Sequence, residues 1–530
     1  MNNDNIARCT HAWSIPGWES ERPSNTPEAK ELWCYTNKPS YSHGEEVDIF
    51  IHSTATSVTL KVVRDGLHPK TVLVREIKGD FRQHTPSDAY AKGCGWQKTT
   101  EIELNEIWQQ GFYLIQLSAD IDGHVIETEH YFILKADKNK NVAVMLLTTS
   151  TLAAYNDWGG ANYYRGLRTE DSSPESALLR PLAKGFLKKP EDAPRNSHDF
   201  TPPPHWIPQH DVYDWALQNG YTRHHADAFW ATYERPFVTW AEMQGYQFDY
   251  LTQWDLHFEK DILNDYQCVI IVGHDEYWSW EMRDELDNYL DKGGNLARFA
   301  GNYIWQVRLS EEGNSQYCYK IPQEDPLRHK TPERVTTFWE HPLVNRPSAT
   351  SIGLTGLGGC YARYGNTVPR SAGGFTVYRP EHWAFENTDL YYGDVFGGSP
   401  FNIASFEMDG LEYSFKRGLP YPTGEDGVPE QVEILAMTQA VLGADDKWEG
   451  KVPLGAPVWE VADFINIAYE GNPPDYLKDK RYGCGVVASY PKGKGYVFNA
   501  GTCEWVKGLI RGDVFTETIT KNVLNRFIQS

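Results

Sequence analysis

The feature that most constrains the fold is a short apolar run that ends in a glycine and leads into a helix-like segment. Residues 269–272 carry no polar alternation and are too few for a helix, so they predict a strand buried on both faces. After Gly273, residues 279–292 place apolar side chains at helical spacing, with Ser279 as the N-cap and Gly293 as the stop. A strand, a tight turn and a returning helix form half of a βαβ unit, which indicates an open parallel sheet.

The turn after this strand holds two side chains that are able to do chemistry. His274 and Glu276 lie one residue apart, directly beyond the apolar run. Ligands bind outside the carboxyl ends of the strands in open parallel sheets. The sequence therefore predicts a functional site at His274 and Glu276.

The chain of 530 residues exceeds a single hydrophobic core, and its patterning divides it in two. Residues 1–137 alternate apolar and polar side chains in short stretches between turn signals, which predicts an immunoglobulin-like β-sandwich. Residues 138–530 alternate short apolar runs with helical stripes. They predict a parallel α/β domain of the flavodoxin or glutamine-amidotransferase kind.

Two stretches of the second domain depart from this alternation. Residues 166–227 are rich in Pro, His, Asp and Arg, and predict a long loop or lid with short helical pieces. Residues from about 345 to 480 are rich in glycine, proline and aromatic side chains. They predict a β-rich elaboration packed over the sheet. An apolar stripe in residues 513–528 predicts a C-terminal helix that closes the α/β layer.

Charge and composition exclude several classes of partner. The formal net charge of −22 argues against nucleic acid or an anionic membrane surface. A membrane span would need a run of about 18 apolar residues, and the sequence has none. Residues 1–20 lack the basic flank and apolar core of a signal peptide, and the eight cysteines form no CxxC pair. These features predict a cytoplasmic protein with reduced, buried thiols.

The residues alone leave three kinds of site open. A nucleophilic site of the glutamine-amidotransferase kind needs a cysteine on the turn, where this chain has His274, and Cys268 lies before the strand. A metal site would combine Glu276 with Tyr155 and Tyr164 of the loop after a neighbouring strand. A phenol with a pKa near 10 binds as a phenolate only to a strongly acidic cation, which favours Fe³⁺. A purely structural alternative makes the turn a helix cap with aromatic packing, in a binding scaffold without catalysis.

Several motifs become specific when they are read together. They are Ser150-Thr-Leu-Ala-Ala-Tyr155-Asn, Gly160-Ala-Asn-Tyr-Tyr164, His274-Asp-Glu276-Tyr, Ala300-Gly-Asn302-Tyr-Ile-Trp305, Phe406-Glu407-Met-Asp409 and Lys521-Asn-Val-Leu-Asn-Arg-Phe527. Together they resemble the family of the N,N-dimethylformamidase large subunit. The resemblance covers roughly residues 138–530 and is looser in the predicted sandwich.

This resemblance implies a mononuclear ferric site in a hydrolase that acts on linear amide C–N bonds. The implied ligands of Fe³⁺ are Tyr155, Tyr164 and Glu276, and His274 is the implied catalytic histidine. Glu407 is the implied glutamate next to it. Tyr163 remains an alternative to Tyr164, and Glu412 an alternative to Glu407.

The resemblance also suggests a substrate and an assembly. The implied reaction cleaves a small N-substituted amide such as N,N-dimethylformamide into a carboxylate and an amine, with another amide or a carbamate as the alternative. Asn302, Trp158, Tyr277 and Trp305 are candidates either for lining the pocket or for ordinary packing. The implied assembly is a homo-oligomer, with or without a small companion subunit.

Overall fold

The structure is a computed structural model and has a mixed, sheet-rich fold. It describes residues 20–24, 26, 28–137, 140–164, 173–196, 211–360, 368–369, 373–441, 466, 468–478 and 482–529. No helix among these residues is long and apolar enough to cross a membrane.

The N-terminal strands form two sheets around one apolar core. These elements are β1 (Leu32–Thr36), β2 (Ser40–Tyr41), β3 (Glu46–Ser53), β4 (Ser57–Arg64), β5 (Lys70–Lys78), α1 (Ala89–Lys92), β6 (Thr100–Glu103), β7 (Gly111–Ile121) and β8 (His124–Leu134). One sheet has the order β1-β3-β6 and the other β2-β8-β7-β4-β5. Alternate side chains of β3, including Val47, Ile49 and Ile51, are fully buried in the core between the sheets. Two sheets around a shared core are present, as the sequence predicts, and the immunoglobulin-like topology stays a prediction.

The following segment alternates strands and helices, as the sequence predicts. Its elements are β9 (Ala143–Leu147), α2 (Thr149–Tyr155), β10 (Glu175–Ala177), α3 (Asp211–Asn219), α4 (Glu234–Met243), β11 (Asp249–Thr252), α5 (Gln253–Phe258), β12 (Cys268–His274), β13 (Tyr277–Ser279), α6 (Trp280–Lys292), β14 (Asn295–Gly301), β15 (Trp305–Leu309) and β16 (Ser315–Tyr317). Every residue of β9 and β12 is buried, which fits apolar runs without polar alternation. The Ser279 hydroxyl accepts a hydrogen bond from the Met282 N–H and caps α6, and Gly293 ends this helix in the left-handed conformation.

The remaining elements are short until the chain returns to the sheet near its C-terminus. They are α7 (Ala349–Ile352), β17 (Thr355–Cys360), β18 (Val368–Pro369), β19 (Phe375–Val377), β20 (Val395–Phe396), β21 (Met408–Gly410), β22 (Tyr413–Lys416), β23 (Leu419–Pro422), β24 (Glu433–Val441), β25 (Tyr482–Lys492), β26 (Gly495–Asn499), α8 (Trp505–Ile510) and α9 (Val514–Gln529). Helix α9 confirms the predicted C-terminal helix.

One central sheet joins the two halves of this region. Its order is β11-β9-β12-β14-β26-β25-β24-β19-β20, with β18 paired to β24. The strands from β11 to β26 are parallel, whereas the pairs from β26 to β20 are antiparallel. The prediction that the 345–480 segment packs over the sheet is wrong for β18, β19, β20 and β24, which belong to the sheet itself, whereas β17 with β21 and β22 with β23 form separate two-stranded sheets. The sheet is therefore mixed rather than purely parallel.

The sandwich and the central sheet share a hydrophobic cluster. Phe112 of β7 stacks on Trp230, which precedes α4, with ring centroids 3.7 Å apart and an interplanar angle of 5°. The same cluster contains Tyr131 of β8 and Phe299 of β14. A domain boundary at residue 137 stays a prediction, and apolar contacts cross it.

The predicted lid is only partly described. Its described parts, residues 173–196 and 211–227, carry β10 and α3 and are otherwise irregular. Residues 166–172 and 197–210 of this prediction lie outside the described residues.

Candidate active site

The carboxyl end of β12 turns sharply, and this turn places His274 and Glu276. Gly273 has a φ of +83°, and a Cβ there would lie 2.3 Å from Tyr233 Cβ. Only glycine combines that backbone conformation with so close an approach. His274 pairs with Gly301 at the end of β14, so the carboxyl ends of two parallel strands meet beside the turn.

Two tyrosine hydroxyls meet the carboxylate of Glu276. The Tyr155 hydroxyl, at the end of α2, donates to Glu276 Oε2 at 2.9 Å, and the Tyr164 hydroxyl donates to Oε1 at 2.5 Å. The two phenol rings are stacked, with centroids 4.5 Å apart. The Tyr163 hydroxyl instead donates to the backbone carbonyl of Gln316 at 2.8 Å. Of the two adjacent tyrosines, Tyr164 is therefore the one whose hydroxyl contacts Glu276.

His274 has a different partner on each ring nitrogen. Nδ1 donates to the carbonyl of Asp227 at 2.7 Å, and Nε2 lies 2.7 Å from Glu407 Oε2 and 3.4 Å from Glu276 Oε2. Burial would lower the pKa of His274, but the charge of Glu407 and its hydrogen bond outweigh burial and raise that pKa to about 9. The two carboxylates therefore favour the protonated imidazole, the form that donates from both nitrogens.

The segment that carries Glu407 follows a constrained path. Phe406 and Glu407 both have a φ of +46°, which is uncommon for residues other than glycine and often marks functional sites. A Cβ on Gly301 would lie 2.4 Å from the Glu407 carbonyl oxygen, so glycine permits this approach. Asn302 Nδ2 donates to Glu407 Oε2 at 2.9 Å. The contact between the Glu407 carboxylate and His274 Nε2 favours Glu407 over the alternative Glu412.

Aromatic side chains and one lysine surround Glu276. Trp305 Nε1 donates to Glu276 Oε1 at 2.8 Å, and the Tyr277 and Tyr164 hydroxyls share a hydrogen bond. Lys320 Nζ lies 3.5 Å from the centroid of the Tyr164 ring, which gives a cation–π contact. Sequence reasoning missed Lys320.

Trp158 lies apart from this group. Its ring packs on Trp33 and Trp96, at centroid distances of 5.8 and 6.1 Å. These neighbours belong to the N-terminal segment, so the contacts of Trp158 favour ordinary packing over the predicted pocket lining. Asn302, Tyr277 and Trp305 each contact a predicted ligand or catalytic residue.

The electrostatics of the site disfavour several negative charges in one buried space. Burial, and then the negative charge of Glu276, raise the pKa of Tyr155 and Tyr164 well above the usual range for phenols. Burial also raises the pKa of Glu276, an effect that the charge of His274 opposes. These shifts favour neutral phenols, and a cation bound beside them would oppose the shifts by favouring the phenolates.

The donors present fit a hard cation. Two phenolic oxygens lie at hydrogen-bond distance from the two oxygens of one carboxylate, and hard, highly charged metal ions prefer oxygen donors. A second donor set shares Glu276: nitrogen or oxygen atoms of His274, Glu276 and Glu407 all lie within 4.8 Å of one another. The two sets differ in chemistry, because only the first contains phenols.

The other two kinds of site find less support. Cys268 is buried at the opposite end of β12 from the turn, and burial raises its pKa well above the usual range for thiols. Ser279 caps α6, whereas His274 and Glu276 bond to Asp227, Glu407 and the tyrosines. The turn is therefore more than a helix cap.

One buried pair and one buried triad behind the site were missed from the sequence. His224 Nδ1 lies 2.6 Å from Asp227 Oδ2, and Asp227 is the residue whose carbonyl binds His274. Arg298 bonds to Asp275 and Asp409, all three with no exposed surface. A signal for the triad existed, because an arginine inside the apolar run of β14 needs hydrogen-bond partners when it is buried.

Comparison with known proteins identifies the family. The description "N,N-dimethylformamidase beta subunit-like, C-terminal" matches residues 64–517, so the match begins within the sandwich, before the predicted start at residue 138, and ends before residue 530. N,N-dimethylformamidase beta subunits of an Alcaligenes species and of Paracoccus aminophilus are 29% and 30% identical to this chain over 94 residues. Each alignment covers 17% of this chain and only 12% of the relative. Because the family match spans most of the sequence, the chain belongs to the N,N-dimethylformamidase beta subunit-like family.

Proposed function

We propose that this protein is an iron-dependent amidohydrolase that cleaves the C–N bond of a small N-substituted amide, similar to N,N-dimethylformamide, into a carboxylate and an amine. The observation that carries the proposal is the approach of the Tyr155 and Tyr164 hydroxyls to the two oxygens of Glu276. Family membership and the printed name of the two relatives support the class of reaction.

The proposed ligands of one ferric ion are Tyr155, Tyr164 and Glu276. When bound, the ion supplies Lewis acidity that polarises an amide carbonyl and lowers the pKa of water. The Trp305 N–H bonds to Glu276 and the Lys320 ammonium lies over the Tyr164 ring, so both offset the negative charge of this donor set. Tyr277, through its hydroxyl contact, orients the phenol of Tyr164.

Glu407 and His274 are the proposed proton-handling pair. Amide hydrolysis needs a protonated leaving amine, because an amide anion is a very poor leaving group. Glu407 takes a proton from water and returns it to the amide nitrogen. The His274 cation stabilises the negative charge that develops on the carbonyl oxygen. Asn302 holds Glu407 Oε2 for both steps.

The aromatic surroundings support a small substrate with apolar N-substituents. The rings of Tyr277, Trp305 and Phe406 lie against the site, and Phe406 packs edge-on against His274 at 5.6 Å. Formamides, acetamides and carbamates offer the same carbonyl with substituents of different size. The rates of hydrolysis of these three classes of compound would identify the class that the pocket accepts.

We further propose that the chain works as an oligomer. The relatives are named beta subunits, which supports assembly with another kind of chain, and we propose that this companion is small and that the chain also self-associates. Light scattering of the purified chain measures self-association, and analysis of the proteins that co-purify with it from its native host detects a companion chain.

The test measures iron and amine release in the same preparation. We expect about one iron per chain and amine release from a formamide. Both should be lost after chelation and restored by Fe³⁺, whereas Zn²⁺ should not restore activity. Full activity of an iron-free preparation would contradict the proposal. Equal restoration by Zn²⁺ would favour the donor set of His274, Glu276 and Glu407.

A further inference from the structure

A single buried guanidinium connects the two segments that carry the proposed chemistry. Arg298 lies in β14 and has no exposed surface. Its Nε donates to Asp275 Oδ2 at 2.8 Å, and its Nη2 donates to Asp275 Oδ1. Its Nη1 donates to Asp409 Oδ2 at 2.6 Å and to Asn499 Oδ1 at 2.9 Å. The planar fork of arginine fixes both carboxylates in direction as well as distance.

Each carboxylate belongs to a short segment with a site residue. Asp275 stands between His274 and Glu276, and Asp409 is two residues after Glu407. The second oxygen of Asp409 accepts the backbone N–H of Tyr303, the residue after Asn302, at 3.0 Å. Arg298 therefore connects the segment of His274 and Glu276 with the segment of Glu407. Through Asp409 it also contacts the segment of Asn302, whose amide donates to Glu407.

The segment that carries Glu407 needs contacts that hold its backbone in place. Phe406 and Glu407 are consecutive residues in the left-handed conformation, which persists only where surrounding contacts impose it. The Asp409 N–H donates to the Gly501 carbonyl at 2.9 Å, and the carboxylate of Asp409 supplies the contacts to Arg298 and Tyr303. These bonds follow the constrained residues directly and hold them against β14.

We propose that Arg298 is a positioning residue that sets the separation between His274 and Glu407 by holding Asp275 and Asp409 on one guanidinium. The inference rests on the proposed function for its catalytic consequence, but its geometric content is independent of any activity. The separation at stake is the 2.7 Å between His274 Nε2 and Glu407 Oε2.

The principal test is Arg298→Lys in the full chain. Lysine keeps the charge but cannot bond both carboxylates with a planar fork. We expect the His274–Glu407 contact to lengthen beyond hydrogen-bond range in a crystal structure of the variant. We also expect kcat to fall about a hundredfold, the cost of displacing a catalytic group by about 1 Å, while KM and iron content stay nearly unchanged.

Arg283→Lys is the matched control. Arg283 is also fully buried, and it bonds to Ser351 Oγ and to the backbone carbonyls of Arg346 and Pro347. Replacing it should lower thermal stability, as the loss of any buried arginine does. It should leave the His274–Glu407 distance and kcat unchanged. An equal fall of kcat in both variants would show that Arg298 is merely structural.

Asp409→Asn is the second variant, in case Arg298→Lys does not fold. Asparagine keeps the shape of the side chain and its contact with the Tyr303 N–H but removes the ionic bond to Arg298. We expect the same lengthening at Glu407 with Asp275 still bonded to Arg298. An unchanged His274–Glu407 distance in a folded variant would overturn the inference. A wild-type protein without iron or hydrolysis would instead overturn the proposed function and leave the geometric result standing.

Discussion

The N-terminal sandwich and the site at the end of β12 bury their side chains by different means. The sandwich core consists of apolar side chains such as Leu60, Ile115 and Phe132, each with no exposed surface. The floor of the site buries Asp275, Arg298 and Asp409 just as completely. Apolar burial stabilises in proportion to area and has no preferred direction, at roughly 25 cal/mol per Å².

Buried charges differ from apolar side chains in both respects, because burying them costs free energy and their hydrogen bonds have fixed directions. Each ion loses hydration worth several kcal/mol, which is recovered only when hydrogen bonds are nearly ideal. We infer that the apolar core of the sandwich contributes to the stability of the protein. The buried ions of the site contribute less to stability, but they fix the positions of the side chains. Substitutions in the two regions should therefore change different quantities.

The largest expected effect comes from Glu276→Gln. The amide cannot serve as an anionic ligand, so we expect loss of iron and at least about a thousandfold lower kcat/KM, a loss of several kcal/mol of transition-state stabilisation. The folded apoprotein should keep its thermal stability, because the change removes a buried charge. Metal analysis, kinetics and thermal unfolding measure the three quantities.

His274→Ala is the matched variant for Glu276→Gln. It should keep iron and lose about a hundredfold in kcat, since it removes a group that acts only on charge developing in the reaction. Iron loss in His274→Ala with iron retention in Glu276→Gln would show that the two roles are reversed.

The second effect tests the sandwich. Phe132→Ala deletes a fully buried ring that stacks on Tyr113 at 4.9 Å, so the free energy of unfolding should fall by about 3–5 kcal/mol. The kcat of the folded fraction should not change. Val125→Ala on the same strand, where Val125 is 69% exposed, is the control and should change stability by less than about 0.5 kcal/mol. A large fall of kcat in Phe132→Ala would break the division between the two regions.

The third effect concerns a buried carboxylate outside the site. Glu234, at the start of α4, accepts hydrogen bonds from Thr148, and burial raises its pKa to about 7 from 4.5. Since the folded state holds this proton more tightly, its contribution to stability falls as pH rises from about 4.5 to 7 and is constant above. Between pH 4.5 and 8, the unfolding free energy of Glu234→Gln should gain about 3 kcal/mol relative to that of wild type. Chemical denaturation at both pH values measures the difference, and parallel pH profiles would contradict it.

The smallest effect is a single hydrogen bond. Trp305→Phe removes the N–H that bonds to Glu276 Oε1 but keeps the ring stacked on Phe338 at a centroid distance of 4.3 Å. A hydrogen bond to a charged acceptor contributes about 1.5–3 kcal/mol, so the affinity for iron should fall at least about tenfold in a chelator competition.

Trp339→Phe is the matched control for Trp305→Phe. Trp339 is fully buried, and its Nε1 has no hydrogen-bond partner within the described part of the chain. Its substitution should leave the affinity for iron unchanged. Equal affinities in the two variants would remove Trp305 from the site.

Local patterns predicted continuous elements well and distant pairings poorly. The sequence predicts the strand of residues 269–272, the N-cap Ser279 and the C-terminal helix, because apolar periodicity and capping act over a few residues. It did not predict that β24 joins the central sheet, because pairing between residues 433–441 and 482–492 leaves no local signal.

The site shows the same limit. Motifs that resemble one family predicted five site residues, and the side chains of these residues contact one another in the structure. They are Tyr155, Tyr164, His274, Glu276 and Glu407. Trp158 was grouped with them because it follows Tyr155 closely in sequence, but its ring turns to Trp33 and Trp96. Lys320 was missed because it is brought to Tyr164 by a contact across more than 150 residues.

Resonance Raman spectroscopy of the iron-loaded protein tests the central claim most directly. Excitation in the visible band should show tyrosinate vibrations in the wild type, weakened in Tyr155→Phe and in Tyr164→Phe and absent when both are changed. Tyr163→Phe, the control, should keep the wild-type spectrum. Iron bound without tyrosinate vibrations, or a spectrum that survives the double substitution, would contradict the account.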